Sequence, residues 1–359
     1  MEPFDPNNDF LSETTKVATS TWTNNTNKLT SAITASTQAV FTTATSSGAF
    51  FVDVHNDATT SSVQYSVAYG HKAGSGSLAF NASAPSYSPT SVIYNQYRQL
   101  IYGDSTTNFS FNGYTPDDIY VINVNRSRYK HNLKPGTLNL FLGSGSATTV
   151  AGKASTLHLT DDSITTTGSA IITNAGRQFN IVSGSSGVMS GSTLTGNHPA
   201  DSGSYGFFYP DSGFMILNPS ALSFHLSGGV VNTAPAFDSG SYGALTPQIA
   251  SNTANNNHLK LLKSIDSGSN FEIDSEEKVS AQYYFARVKN RSYNYSSNPT
   301  FRDSSGNLVY SDMESNPKVY ITTVGLYDTP GNLIAVAKLS QPIAKEFSKE
   351  ALIRIKLDY

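Results

Sequence analysis

No cysteine occurs in this 359-residue chain. Disulfides, thiolate metal sites and cysteine nucleophiles are therefore excluded, and cysteine usage leaves the compartment undetermined. Charge is also scarce. Asp, Glu, Lys and Arg make up 14% of the residues, against roughly 25% in ordinary soluble domains. The formal net charge of -3 gives no electrostatic footprint for nucleic acid. Long apolar runs are missing too, since nothing approaches the roughly 18 apolar residues of a membrane helix. The opening MEPFDPNNDF is acidic and lacks a basic region followed by an apolar core, so no secretory signal is expected. These absences lead to the expectation of a soluble protein made in the cytoplasm, without a membrane or nucleic-acid partner.

Small polar residues take the place of charge. Ser, Thr, Asn and Gly together make up about two-fifths of the chain, well above ordinary usage. With 20 Tyr and 19 Phe the chain is not the aromatic-poor kind that stays disordered. Hydroxyls, amides, β-branched side chains and rings describe sheets joined by many turns. Their surfaces suit permanent polar contacts better than charge-steered encounters.

The C-terminal eighty residues carry the clearest pattern. AQYYFARVKN (281–290), KVYITTVGLYD (318–328), LIAVAKL (333–339) and ALIRIKLDY (351–359) are four β-rich runs. In the last, Ile353, Ile355, Leu357 and Tyr359 alternate with Arg354, Lys356 and Asp358, the period of a half-buried strand. DTPGN (328–332) reads as a hairpin loop.

The whole chain reads as mainly β: two or three antiparallel β-sandwich or sheet domains, few short helices and an extended N-terminal arm. Residues 1–47, rich in Thr and Asn, read as that arm. It is either flexible, or ordered against a neighbouring subunit by burying the only tryptophan, Trp22. Deletion of residues 1–45 is expected to leave a folded, soluble monomer that fails to assemble. Residues 48–143 read as an α+β domain with strands at 49–55, 63–71, 118–125 and 137–143. Its helix at 90–102 places Ile93, Tyr97, Leu100 and Ile101 on one side, with Ser91 or Thr90 as cap and Gly103 at the C-terminal end. Residues 144–255 read as a Gly/Ser-punctuated β domain, with PDSG (210–213) as a hairpin turn. Residues 256–359 read as a C-terminal antiparallel domain entered through a short helix at 258–265.

Catalytic and metal-binding patterns are not found. The seven histidines are scattered, with no pair at i+2 or i+4, so no metal site is expected. AGKAS (151–155) lacks the upstream glycine and the Ser/Thr of a phosphate loop. The acid pairs Asp117–Asp118, Asp161–Asp162 and Glu276–Glu277 are adjacent, and neighbours on a strand point to opposite faces rather than across one sugar. N-x-[ST] triplets, as at Asn108, follow from the composition. No catalytic residue, metal ligand, cofactor or small-molecule substrate is expected. Two stretches suit an interface. Arg126, Arg128 and Tyr129 form a basic turn, and Arg291, Tyr293, Tyr295 and Phe301 set large rings among Ser and Asn.

Several blocks carry a resemblance. SVIYNQYRQLIYGD with DDIYVINVNRSRYKHNLKPGTLNLFL, FNIVSGS with YGFFYPDSGFMILNP, and YYFARVKNRSYNYSSNPTF through ALIRIKLDY resemble virion structural proteins of T-even-like contractile-tailed phages. The resemblance is especially to the marine cyanophage type. The resemblance runs from about residue 48 to the end, is most specific in the C-terminal block, and transfers no functional residue. It implies a non-enzymatic building block of the tail, at the baseplate, whose partners are other tail proteins and copies of itself. A receptor- or carbohydrate-binding fibre protein is the alternative, and a tailspike hydrolase using Asp161 and Asp162 a third.

Overall fold

The computed structural model describes residues 5, 7–23, 28–29, 34–36, 51–55, 62–143, 156–165, 170–190, 204–222, 226–227, 230–231, 249, 257–268, 270–296 and 298–358. They group into two compact units, Val17–Glu277 and Met1–Lys16 with Lys278–Tyr359. Among the described residues 47% are in strands and 16% in helices, so the fold is mainly β, as expected, and its strands pair antiparallel.

In chain order the first elements are β1 (Phe10–Ser20), β2 (Lys28–Leu29), β3 (Thr34–Ser36), β4 (Phe51–His55), β5 (Val63–His71) and α1 (Pro89–Tyr102). Then come β6 (Asp118–Val124), β7 (Asn132–Leu133), β8 (Asn139–Gly143), β9 (Thr156–Asp161), β10 (Ile171–Thr173), β11 (Gly176–Ser185) and β12 (Val188–Met189). β13 (Gly206–Tyr209), β14 (Phe214–Leu217), α2 (Pro219–Leu222), β15 (Leu226–Ser227), β16 (Val230–Val231) and α3 (Asn257–Gly268) follow. The chain closes with β17 (Phe271–Glu272), β18 (Asp274–Val288), α4 (Asp312–Ser315), β19 (Val319–Tyr327), β20 (Leu333–Lys345) and β21 (Ala351–Asp358).

The larger unit is built on one sheet, in the order β2-β17-β8-β9-β11-β13-β14-β6-β5-β4-β3, with β10 and β12 on β11. Its central strands are covered on both faces. Ile119, Val121, Phe214 and Ile216 point into a core with Ile93, Tyr94, Tyr97 and Ile101 of α1. Tyr120, Ile122, Met215 and Leu217, one residue along each strand, point into the second core with Leu261, Leu262 and Ile265 of α3. Strands buried this way must be apolar throughout, which is why FMIL and IYVI show no alternation. α3 packs on β8 and on β4 and β5, which stand in opposite halves of the strand order.

Sheet and units do not follow the boundaries expected near 143 and 255. Strands from 51–143, from 156–217 and from 271–272 lie in one sheet, because antiparallel partners far apart in sequence complete each other's hydrogen bonding. The polar segments near 144–155 and 232–256, where composition suggested boundaries, fall mostly outside the described residues.

α1 starts one residue earlier than its sequence suggests. Ser88 caps it by accepting from the Ser91 amide, Pro89 takes a first-turn position, and Gly103 closes it at φ 75°. The PDSG hairpin forms as expected between β13 and β14. Gly213 there has φ 75°, and a Cβ on it would lie 2.5 Å from the Tyr129 ring, so both backbone and packing require glycine.

In the smaller unit β18 is the middle strand, with β1 on one side and β21 on the other. The β18–β21 register runs from Ala281↔Asp358 to Val288↔Ala351. Ile353 and Ile355 are buried while Arg354, Lys356 and Asp358 are exposed, the alternation read from the sequence; Tyr359 lies outside the described residues. β19 and β20 form a separate two-stranded ribbon. DTPGN joins them, with Gly331 at φ 94° and the Asp328 carboxylate accepting from the Asn332 side chain at 2.9 Å. The register jumps from Ile321↔Ile343 to Thr323↔Lys338, so residues 339–342 bulge out opposite Thr322. Pro342 sits in that bulge, where a missing N–H costs no ladder bond.

Candidate functional site

Trp22 corrects the reading of residues 1–47 as an arm toward a neighbour. It is 2% exposed inside the larger unit, its ring 6.0 Å from Tyr65 and 5.0 Å from Phe271, with Nε1 donating to the Phe271 carbonyl at 3.1 Å. Leu29 is buried too, and β2 pairs with β17. A lone indole gains more from this aromatic pocket than from solvent, and its N–H finds an acceptor there. β1 does extend along a strand edge, but of its own chain: Asp9 O accepts from the Phe285 amide at 2.9 Å and Phe10 packs on Tyr284 at 5.4 Å.

The basic turn is likewise held from within. Tyr129 is 6% exposed in the core, so it is not a contact residue. Arg126 lies over its ring at 4.7 Å and donates to its carbonyl at 2.7 Å. Arg128 donates to Thr23 Oγ1 at 2.8 Å, tying the turn to the segment that carries Trp22. Asn125 caps this turn by accepting from the Ser127 amide. Arg126 is exposed and Arg128 half-buried.

The third stretch keeps an exposed face. Tyr293 and Tyr295 are exposed and Phe301 is half-buried. Tyr295 meets Phe301 edge-on at 5.7 Å, Phe301 meets Tyr310 at 6.4 Å, and Arg302 lies 5.1 Å from the Tyr295 ring. Arg291 is exposed beside them. Lys345 holds this loop from beneath. Its side chain is fully buried and its Nζ donates to Asn290 O at 2.9 Å and to Asn294 Oδ1.

The acid pairs do not form a cleft. Asp161 accepts from the Gly136 amide at 2.8 Å, while Asp162 accepts from the Asn180 amide and side chain, each at 2.9 Å. Burial raises both carboxyls above their ordinary range, against these hydrogen bonds. Asp161 fastens the turn at Gly136, and Asp162 fastens β11. Burial likewise pushes Asp118 up to about 6, despite a 3.0 Å bond from Tyr69 Oη. Among the described residues no group of three or more His, Asp or Glu side chains is placed to hold a metal. No helix there is long and apolar enough to cross a membrane.

Sequence reasoning missed the most unusual surface. Among its described residues, the smaller unit buries only Ala281, Ile353 and Ile355 as apolar side chains. Tyr320, Leu333, Ile334 and Val336 of the β19–β20 ribbon are all more than half exposed, and no apolar side chain of either strand is buried. VYITTVGLY is apolar on both faces, which normally marks a strand covered on both sides. A two-stranded ribbon alone is marginal in water, and these side chains give it little apolar burial of its own. No family model, no curated protein and no solved structure matches the chain.

Proposed function

We propose that the chain is a non-enzymatic structural subunit of a contractile phage tail, placed at the baseplate, that acts by assembling with other tail proteins and with copies of itself. The observation that carries this reading is the smaller unit: three buried apolar side chains against a ribbon of bare Tyr, Leu, Ile and Val. A unit with so little core is completed by surface from elsewhere, as in permanent assemblies whose interfaces resemble a core cut in two. The resemblance of the C-terminal block to virion proteins supplies the kind of assembly. Scarce charge fits contacts made once and kept. The test is antibody labelling or a density map of intact particles of the phage that encodes the chain. Density for it in the tail is the expected result, and its absence from assembled virions overturns the proposal.

A second reading rests on the exposed rings of Tyr293, Tyr295 and Tyr310, which offer faces for stacking on sugars. A glycan array on the purified chain separates it: specific glycan capture, abolished by Tyr295→Ala, favours a receptor-binding role.

A further inference from the structure

Among its described residues the smaller unit has four strands with a free edge, and three of them carry the devices that keep edges from pairing. β1 has Glu13 and Lys16, β21 has Arg354, Lys356 and Asp358, and β20 has Lys338, Lys345 and a bulge containing Pro342. β19 has none of them: Val319–Tyr327 contains no Lys, Arg, Asp, Glu or Pro. Among the described residues it pairs with β20 alone, so the backbone groups of its far edge are unbonded.

We propose that β19 is a homotypic docking edge, through which two copies of the chain join by antiparallel pairing of Val319–Tyr327 with itself about a two-fold axis at Thr323. About that axis the flanking Lys318 of each copy lies opposite Asp328 of the other, and this charge complementarity selects a second copy as the occupant. Strand pairing about a two-fold axis sets each residue opposite its counterpart across the centre. Centred on Thr323, the pairs are Thr323 with itself, Thr322 with Val324, Ile321 with Gly325, Tyr320 with Leu326 and Val319 with Tyr327. Four of the five are Thr–Thr, β-branched or aromatic–aliphatic pairs of the kind that stabilise ladders, and no like charges meet. The arrangement is isologous, so it closes at two copies instead of propagating into a fibre. It also turns the two-stranded ribbon into a four-stranded sheet, past the size at which such sheets are stable in water. The inference rests on the ribbon alone and holds whether or not the chain is a virion subunit.

The purified full chain tests it by sedimentation equilibrium and by disulfide trapping, which has no background in a protein without cysteine. The wild type is expected at twice 38.4 kDa at micromolar concentration. Thr323→Lys, a change at an exposed position, sets two ammonium groups face to face and is expected to return the mass to that of one chain with the same circular dichroism. Thr323→Cys is expected to form a disulfide dimer under mild oxidation, since residues directly opposed in antiparallel strands have Cα atoms about 4.5–5.5 Å apart, within disulfide reach. Arg354→Cys on β21 is expected not to. A monomeric or trimeric wild type, a dimeric Thr323→Lys, or equal trapping at both positions overturns the proposal.

Discussion

Trp22→Ala removes an indole that packs on Tyr65 and Phe271, and leaves the Phe271 carbonyl without its donor. Cavity and lost hydrogen bond together set an expected cost of about 3–5 kcal/mol, read as a lower urea midpoint. Deleting residues 1–47 takes Trp22 and Leu29 together, so it is expected to lower stability, not to yield the intact monomer that an outward arm would leave. Two titratable groups, half-buried Asp118 and buried His258, act in opposite directions on stability. Asp118 has a folded value of about 6, above the ordinary 3.8, because burial disfavours its charged form. Its contribution is complete below pH 3.8 and is lost as pH rises through 6. His258 has a folded value of about 4, below the ordinary 6.5, again through burial. Its contribution is complete above pH 6.5 and is lost as pH falls through 4. Each window spans about 3 kcal/mol at 1.36 kcal/mol per unit, so the two offset each other in the wild type. Relative to the wild type, Asp118→Asn is expected to lose stability more steeply between pH 6.5 and 4, and His258→Leu to gain it. Urea titrations at pH 4, 5, 6 and 7 check both, and parallel curves for all three proteins would refute the assignment.

Elements whose signal lies within a few residues were legible in the sequence; those made by distant partners were not. Gly103 and the Ile93, Tyr97, Ile101 series mark α1, because the C-terminal cap and helical period are local chemistry; the N-terminal cap is Ser88 and not Thr90 or Ser91. Leu100 was misplaced onto the buried side: it is 43% exposed, and Tyr94 fills the core in its stead. PDSG and DTPGN fix their hairpins for the same local reason. Trp22 was not legible, since its acceptor lies 249 residues away and its own neighbourhood is Thr- and Asn-rich. Nor was the support under the 290–301 loop. Lys345→Met keeps the stem of the buried lysine and removes the donors to Asn290 and Asn294. A hydrogen bond to a charged group contributes about 1.5–3 kcal/mol, so amide exchange at 291–296 is expected to quicken by at least tenfold with the larger unit's exchange unchanged. Unaltered protection there would show that the loop holds itself.

Across the whole molecule the apolar residues are divided unevenly. The larger unit seats its rings and aliphatics on both faces of one sheet, whereas the smaller unit carries more than half of the large exposed apolar side chains among the described residues. Surface of that kind costs the isolated chain little structure and gives an assembly much of its binding energy, at roughly 25 cal/mol for each Å² covered. Replacing Tyr320, Ile334 and Val336 together by Ser touches no buried residue. Urea unfolding of the larger unit is therefore expected to stay within about 0.5 kcal/mol of the wild type, while binding of an apolar dye falls and incorporation into particles is lost. Because these contacts are uncharged, association through them is expected to survive 1 M salt, where the screening length is about 3 Å. An assembly that dissolves at that salt concentration, or one that accepts the triple variant at the wild-type level, would place the binding energy in the charged loops instead of the ribbon.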